Sequence, residues 1–319
     1  MSKSLLTSLA LSLVFAASAH AAPLRWAATN DILTLDPHSQ DHNSSNAIGA
    51  HIYEGLTRLS KDYRPEPSLA TKWTYLSPTQ VRFELRKGVK FHDGTPFTAD
   101  DVIFSFGRIN QPQGTKQTYV SGIKEIRRID AHTVDLILEA PTPMLLQNII
   151  SFQSMSQAWA KKNNTLQTQD YKAKEENYAS RNANGTGPYK LISWQPDQAV
   201  KLVANPDWWD KPDGNVTELS YLPIKSAPTR VAALLSGDVD LVTDLPPADF
   251  LRLKDDGKVK VVEGPETRTI FFVMDQGSDE IKDSSVKGRN PFKDKRVREA
   301  LNLALDRDAI RRAIMRGLS

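Results

Sequence analysis

The chain of 319 residues contains no cysteine. Disulfides, thiolate metal sites and thiol nucleophiles are therefore excluded, and so is a lipid anchor carried on an N-terminal cysteine. Excess charge of either sign is also scarce: 41 Lys and Arg face 38 Asp and Glu, a formal net charge of +3. No Lys/Arg block is dense enough to point to nucleic acid or to an anionic membrane surface. Long apolar runs are missing too. The best, Leu5 to Ala17, falls short of the ~20 residues needed to span a bilayer. Gly-x-Ser-x-Gly, His-Glu-x-x-His and Walker sequences are absent, so an enzyme reading has no nucleophile, metal pair or phosphate loop to start from.

What is present begins with an export signal. Lys3 supplies a positive start, Leu5 to Ala17 an apolar stretch, and Ala19-His20-Ala21 a small-residue cleavage site. Cleavage after Ala21 is expected. The remaining length is enough for two ordinary domains with sizeable cores.

The most ordered pattern runs from Leu69 to Phe106. Val81, Phe83 and Leu85 alternate with Arg82, Glu84 and Arg86, the period of a half-buried strand. Lys87-Gly88 and His92-Asp93-Gly94 turn the chain. Thr98 with Asp101 then predicts a capped helix whose apolar stripe is Val102, Phe106 and Ile109. Before it, a strand is expected at 24–28 and a helix at 45–56, with Ile48, Ile52 and Leu56 inward. After it, a hairpin is expected over 123–129 and 133–138, a short helix at 144–150, and loop with irregular helix over 163–184. Strands follow at 189–194, 199–204, 218–224, 259–262 and 269–274, and helices at 229–236, 249–255, 294–305 and 307–315.

Each motif suggestive of chemistry has a simpler explanation. His92 and Asp93 share one tight turn, too few ligands for a metal site. Asp100 and Asp101 are explained by helix capping and the macrodipole. Gly185-Thr186-Gly187 is followed by Pro188 and a strand, not by the helix N-terminus that a phosphate loop requires. Trp208 and Trp209 are expected to pack in a core or turn.

The run from Phe83 to Phe106, FELRKGVKFHDGTPFTADDVIFSF, closely resembles the signature F-x-L-R-x-G-x-x-F-H-D-G-x-P-F-T-A-D-D-V-x-x-S. That signature marks the extracytoplasmic solute-binding proteins of peptide-importing ABC transporters. Leu35-Asp36-Pro37-His38, Gly185 to Tyr189, Asn205-Pro206, Gly237 to Asp240, and Val297 to Leu301 with Asp306-Arg307 also resemble the family, in family order. The resemblance implies an α/β, two-lobed periplasmic binding protein-like fold (class II, with an extra domain) that closes on its ligand. It assigns 1–21 to the signal peptide, 22–56 and 185–274 to the first lobe, 57–184 to the extra domain, and 275–319 to the start of the second lobe. Relatives continue well past this point, so the second lobe is expected to be largely missing. The stripe Val297, Leu301, Leu305, Ile310 and Ile314 then lacks its covering sheet.

The resemblance also implies a function: binding of di- or oligopeptides in the periplasm, without chemistry or cofactor, for delivery to ABC permease subunits. The protein is expected to act as a monomer. Nickel chelates, opines and glycosides are alternative ligands within the family. A secreted hydrolase and a truncated product without transport function are alternatives outside it. In relatives the segment after Leu-Asp-Pro-His runs beside bound peptide, which points here to Ser39, Gln40, Asp41, His42 and Asn43. Main-chain pairing of that kind tolerates many side chains. Tyr119 and the stretch Thr269, Ile270, Phe271 and Phe272 are further candidates. No metal ligand is expected.

Overall fold

The computed structural model describes residues 22–264 and 269–318; the export signal lies outside the described residues. The chain opens with β1 (Ala22–Ala28) and, after a loop, α1 (Asn43–Ile52). Ile48 and Ile52, four apart, are fully buried as their spacing requires. The helix stops at Ile52, four residues before its expected end. Tyr53 is extended, and the carbonyls of Gly55 and Leu56 accept hydrogen bonds from the N–H groups of Leu69 and Ala70. Those bonds commit the chain to a new layer. β2 (Thr57–Leu59) and β3 (Pro65–Pro67) form a small ribbon, followed by β4 (Ala70–Ser77) and β5 (Gln80–Leu85).

Val81, Phe83 and Leu85 are buried as their alternation requires. α2 (Ala99–Ile109) begins where the Asp101 carboxylate accepts the Thr98 backbone N–H at 2.9 Å. β6 (Ile123–Asp130) and β7 (Thr133–Leu138) make the expected hairpin and complete an antiparallel sheet of order β4-β5-β7-β6. One apolar core joins this sheet to α2 and α3 (Leu145–Asn148), with Phe83, Phe97, Val102, Leu136, Ile149 and Phe152 at its centre. Two short helices follow. α4 (Gln157–Lys162) was not anticipated; the Ser156 hydroxyl caps it by accepting the Trp159 N–H. α5 (Tyr178–Arg181) lies in the irregular polar region and is capped by Asn177.

The chain then returns to the first layer. β8 (Tyr189–Gln195), β9 (Ala199–Ala204) and β10 (Val216–Pro223) are successive strands, and α6 (Ala227–Ser236) leads to β11 (Leu241–Val242). The sheet order is β11-β1-β10-β9-β8, with β1 parallel to both β10 and β11. Its core gathers Ile48, Ile52, Val200, Leu202, Leu219 and Tyr221.

The return is made by main chain packed on main chain. The Gly187 N–H donates to Ile52 O at 2.9 Å, and a Cβ on Gly185 would stand 1.9 Å from that same oxygen. Only glycine fits there.

Beyond β11 the architecture changes. α7 (Pro247–Asp256) still buries Phe250 and Leu253. The strands expected at 259–262 and 269–274 are not formed among the described residues. Val262, Ile270, Phe271, Phe272 and Val273 are between 70% and 84% exposed. A strand needs a partner ladder, and none is present there among the described residues. α8 (Lys295–Leu303) and α9 (Arg307–Ala309), which continues into a π-helical turn at Ile310–Ile314, form where expected. They have no buried residues, so Leu301, Leu305, Ile310 and Ile314 do not face a core.

Candidate functional site

Strands β1, β10 and β11 all point the same way, and loops at the carboxyl ends of parallel strands are the usual place for a ligand crevice. The loop leaving β1 carries Leu35-Asp36-Pro37-His38 and the candidate segment. It is fixed by a buried ion pair. Arg108, on α2, donates from Nη1 and Nη2 to the two carboxylate oxygens of Asp36 at 2.5 and 2.6 Å, and neither side chain has any exposure. The Asp36 oxygens also accept the backbone N–H groups of His38 and Gln169, each at 3.0 Å. Burial acts to raise the Asp36 carboxyl, but the charge and hydrogen bonds of Arg108 outweigh it and bring the group down to about 2.

His38 completes the knot. Its Nε2 donates to Gln153 O at 2.8 Å, which leaves Nδ1 bare toward Arg108 Nη1 at 3.2 Å. That ring must stay neutral to accept from a guanidinium. Burial, then the charge of Arg108, pulls it down to about 3. Arg108 Nη2 also donates to Gln167 O, and Thr34 Oγ1 to Gln169 Oε1 at 2.6 Å. The family-like Asp and His of this loop are thus structural ties between the two sheet units.

The candidate segment follows directly. Ser39 is buried and turned inward: its hydroxyl donates to Gln169 O, and its carbonyl accepts the Thr115 N–H at 2.9 Å. Gln40 is half-buried and returns its Nε2 to Ser39 O. Asp41 is exposed yet held, its backbone N–H donating to Thr115 Oγ1 and its Oδ1 accepting from Asn46 Nδ2 at 2.7 Å. The Tyr119 hydroxyl reaches both Asp41 oxygens, at 3.1 and 2.9 Å. His42 is half-buried with Nδ1 unpartnered, and Asn43, exposed, opens α1. Asp41 and Tyr119, 78 residues apart, are therefore brought together. Thr269, Ile270, Phe271 and Phe272 are exposed, lie outside any strand, and make no hydrogen bond to these groups among the described residues.

Beneath the segment is a cavity of about 10 Å³, lined by Thr34, Asp36, Gln40, Lys116 and Gln153 among others. Lys116 is 3% exposed, and its ammonium makes no hydrogen bond or ion pair among the described residues. Burial brings that group down to about 8, against the pull of Asp41 and Asp36. Arg108, Lys116 and Gln153 were not singled out in the sequence. One signal was available: Asp101, Ser105 and Arg108 stand at i, i+4 and i+7 beside the apolar stripe of α2, a polar stripe on an inward face.

The other motifs resolve into packing. His92 Nε2 meets Gly187 O at 3.0 Å, latching the turn to the returning chain. Trp208 and Trp209 donate from Nε1 to the Glu54 carboxylate at 3.2 and 2.9 Å, Thr186 Oγ1 donates to it at 2.8 Å, and the Arg86 guanidinium lies 3.9 Å from the Trp209 ring centroid. Asp100 pairs with Arg128 across the surface at 3.2 Å.

A mixed sheet whose parallel strands end in loops on one side, joined to a second sheet unit, defines the class: a part of a periplasmic binding protein-like α/β fold. The dipeptide-binding protein from Pseudoalteromonas sp. SM9913, solved in complex with Met-Leu, superposes with a TM-score of 0.76 at 24% identity, over 93% of this chain and 59% of that one. The profile described as "Bacterial extracellular solute-binding proteins, family 5 Middle" matches residues 64–319, and the chain belongs to that family. It is 27% identical over 304 residues to the periplasmic oligopeptide-binding protein OppA of Salmonella typhimurium, covering 88% of this chain and 52% of that protein. It is 30% identical over 274 residues to the dipeptide-binding protein of Escherichia coli, covering 79% and 48%. The chain thus spans about half the length of the curated relatives it matches.

Proposed function

We propose that this chain carries one ligand-binding face of a periplasmic solute-binding protein that captures di- or oligopeptides for an ABC importer. The observation that carries the reading is Asp41. It is exposed at the carboxyl end of the β1 layer, yet held by Tyr119, Asn46 and Thr115 so that it projects from a fixed base. A rigid polar rim of this kind suits an extended ligand laid along 40–43, whose own backbone supplies most of the hydrogen bonds. Ser39 anchors the rim from below. No catalytic step is assigned, since binding and release are the whole task of a transport receptor.

In this reading 22–56 and 185–274 form the first lobe, 57–184 is the family's extra domain, and 275–319 begins the second lobe. The candidate contacts are Gln40 to Asn43 and Tyr119, with Thr269 to Phe272 contributing once paired into a strand. The mature protein starts after Ala21 and is exported without lipid, which intact-mass measurement of the secreted product tests.

Calorimetric titration tests the binding. Dipeptides and tetrapeptides are titrated into the chain and into a version extended to the relatives' length. Binding to the extended protein that weakens at least tenfold in Asp41→Ala supports the reading. Peptide affinity that ignores Asp41 and Tyr119 substitutions would remove the site from this face.

A further inference from the structure

Lys116 is a buried cation without a partner. It sits at the start of the 3-10 turn Gln117–Val120 and is almost wholly enclosed. The anionic groups around it are already engaged. Both oxygens of Asp36 are taken by Arg108, and those of Asp41 by Tyr119 and Asn46. Within ion-pair distance the Lys116 ammonium meets no carboxylate among the described residues. Across the cavity, Gln153 is 7% exposed and its Oε1 has no partner. Two polar groups, both more than nine-tenths buried, therefore border one small space with bonding capacity unused.

The size of that space is informative. About 10 Å³ holds one water or one ligand oxygen. A neutral water would satisfy a hydrogen bond but leave the ammonium's charge offset only by Asp41 and Asp36, which lie beyond ion-pair distance and are engaged elsewhere. An anionic oxygen satisfies both. Gln153, turned by half a rotation about its amide, offers N–H donors to the same atom. Gln40, the side chain between the cavity and the surface segment, also lines it.

We propose that this cavity is a carboxylate subsite, in which Lys116 and Gln153 receive one oxygen of a carboxylate carried by the ligand that runs along Ser39 to Asn43. The inference rests on the peptide-binding reading and deepens it, because it selects ligands with a free terminal or side-chain carboxylate near this end. The lowered pKa of Lys116 fits: a partner anion restores the preference for the charged form, so occupancy raises the ammonium's pKa from about 8 toward its ordinary range.

The test uses the whole chain, with the Lys116 ammonium and the Gln153 amide followed by nuclear magnetic resonance. The probes are sodium acetate and acetamide, at ionic strength matched with sodium chloride. Acetate is expected to shift both resonances saturably, with a rise in the Lys116 pKa, while acetamide shifts neither. Lys116→Met, a change of similar length that removes the charge, weakens the acetate response of Gln153 at least tenfold; a heteronuclear spectrum confirms that this variant is folded, and Lys116→Arg serves as a second variant that keeps the charge and the response. An absent acetate response, an equal acetamide response, or a response that survives in Lys116→Met would overturn the subsite. Alanyl-alanine and its C-terminal amide separate the two readings. If acetate binds and neither dipeptide competes, in this chain or in the version extended to the relatives' length, the peptide reading fails while the carboxylate subsite stands. If both dipeptides compete equally, the peptide reading stands and the subsite fails.

Discussion

Two regions of this molecule obey the same chemistry with opposite results. Between Ala22 and Val242 the main sheets and helices bury an apolar face against a partner layer, and Phe83, Leu136, Ile48 and Leu202 are exposed by no more than 1%. Between Val262 and Leu318 residues no less apolar stand in the open: Ile270 at 84%, Val273 at 83% and Leu303 at 83%. Local signals are equally good in both regions. α8 starts on an Asp294 cap and has an apolar stripe, as α2 starts on Thr98 and has one. What separates them is non-local. α2 lies on a four-stranded sheet, and α8 lies on nothing that is described. Helix stability in proteins comes mainly from that packing, not from the stripe itself.

The largest loss of stability is expected when a partner is removed from inside the first region. Arg108→Met leaves the Asp36 carboxylate buried and unpaired, and should cost about 3–5 kcal/mol in urea unfolding. The double change Asp36→Leu with Arg108→Met is expected to recover most of it, because the loss comes from the stranded charge. Phe83→Ala should cost about 3–5 kcal/mol through the cavity it leaves, whereas Phe271→Ala should lie within about 0.5 kcal/mol. Equal losses at 83 and 271 would mean that the second region is covered in solution.

A more gradual effect follows from acid. His38, pulled down to about 3, is neutral in the fold and takes a proton only when unfolded across the window from its ordinary 6.5 down to about 3. Stability is therefore full above pH 6.5 and falls as pH drops, by about 1.4 kcal/mol per pH unit for one proton. His92, brought down to about 4 chiefly by burial, adds to the slope in the upper part of that window. Asp36 joins only below its ordinary 3.8, its contribution fading toward 2. Glu54 opposes them, since burial raises its carboxyl and acid relieves that penalty. Thermal unfolding between pH 7 and 4 should show the decline, and His38→Gln should flatten it. The smallest effect on stability is expected from Leu303→Ser, within about 0.5 kcal/mol. Its readout is association: light scattering should show less self-association than in the parent chain, because exposed apolar patches drive contact between molecules.

How much of this could be read from residues depends on the range of the interaction that decides each feature. β5, the hairpin of β6 and β7, and the Thr98 cap are settled by neighbours within a few positions, so periodicity and capping chemistry found them. The expected strands at 259–262 and 269–274 had the same local qualities, but a strand is completed by a ladder that the stretch itself cannot specify. α4 escaped because it is only six residues long and is secured by Ser156 and by packing on α2. At the candidate site, position after Leu35-Asp36-Pro37-His38 led to Asp41. Its tie to Tyr119 and the ammonium of Lys116 depend on where three loops meet, and no spacing in one segment encodes that. Ser39 shows the converse. It sits in the right segment but faces the interior, because a loop without period assigns no face.

The close passage at Gly185 and Gly187 bears on how such a molecule could be assembled. The segment from Thr57 to Asn184 leaves the five-stranded layer just after Ile52 and re-enters it where Gly187 bonds to the Ile52 carbonyl. Entry and exit are thus neighbours in space, and a segment with adjoining ends is accommodated without displacing the helix α1 and the strand β8 that flank it. Bridging that gap would take only a short loop, at a small closure entropy. The bond from Arg108 to Asp36 works against excision, because cutting the segment away leaves a carboxylate in the five-stranded layer and a guanidinium in the segment without each other. A segment that holds the counter-ion of the layer it leaves cannot be removed without stranding a buried charge.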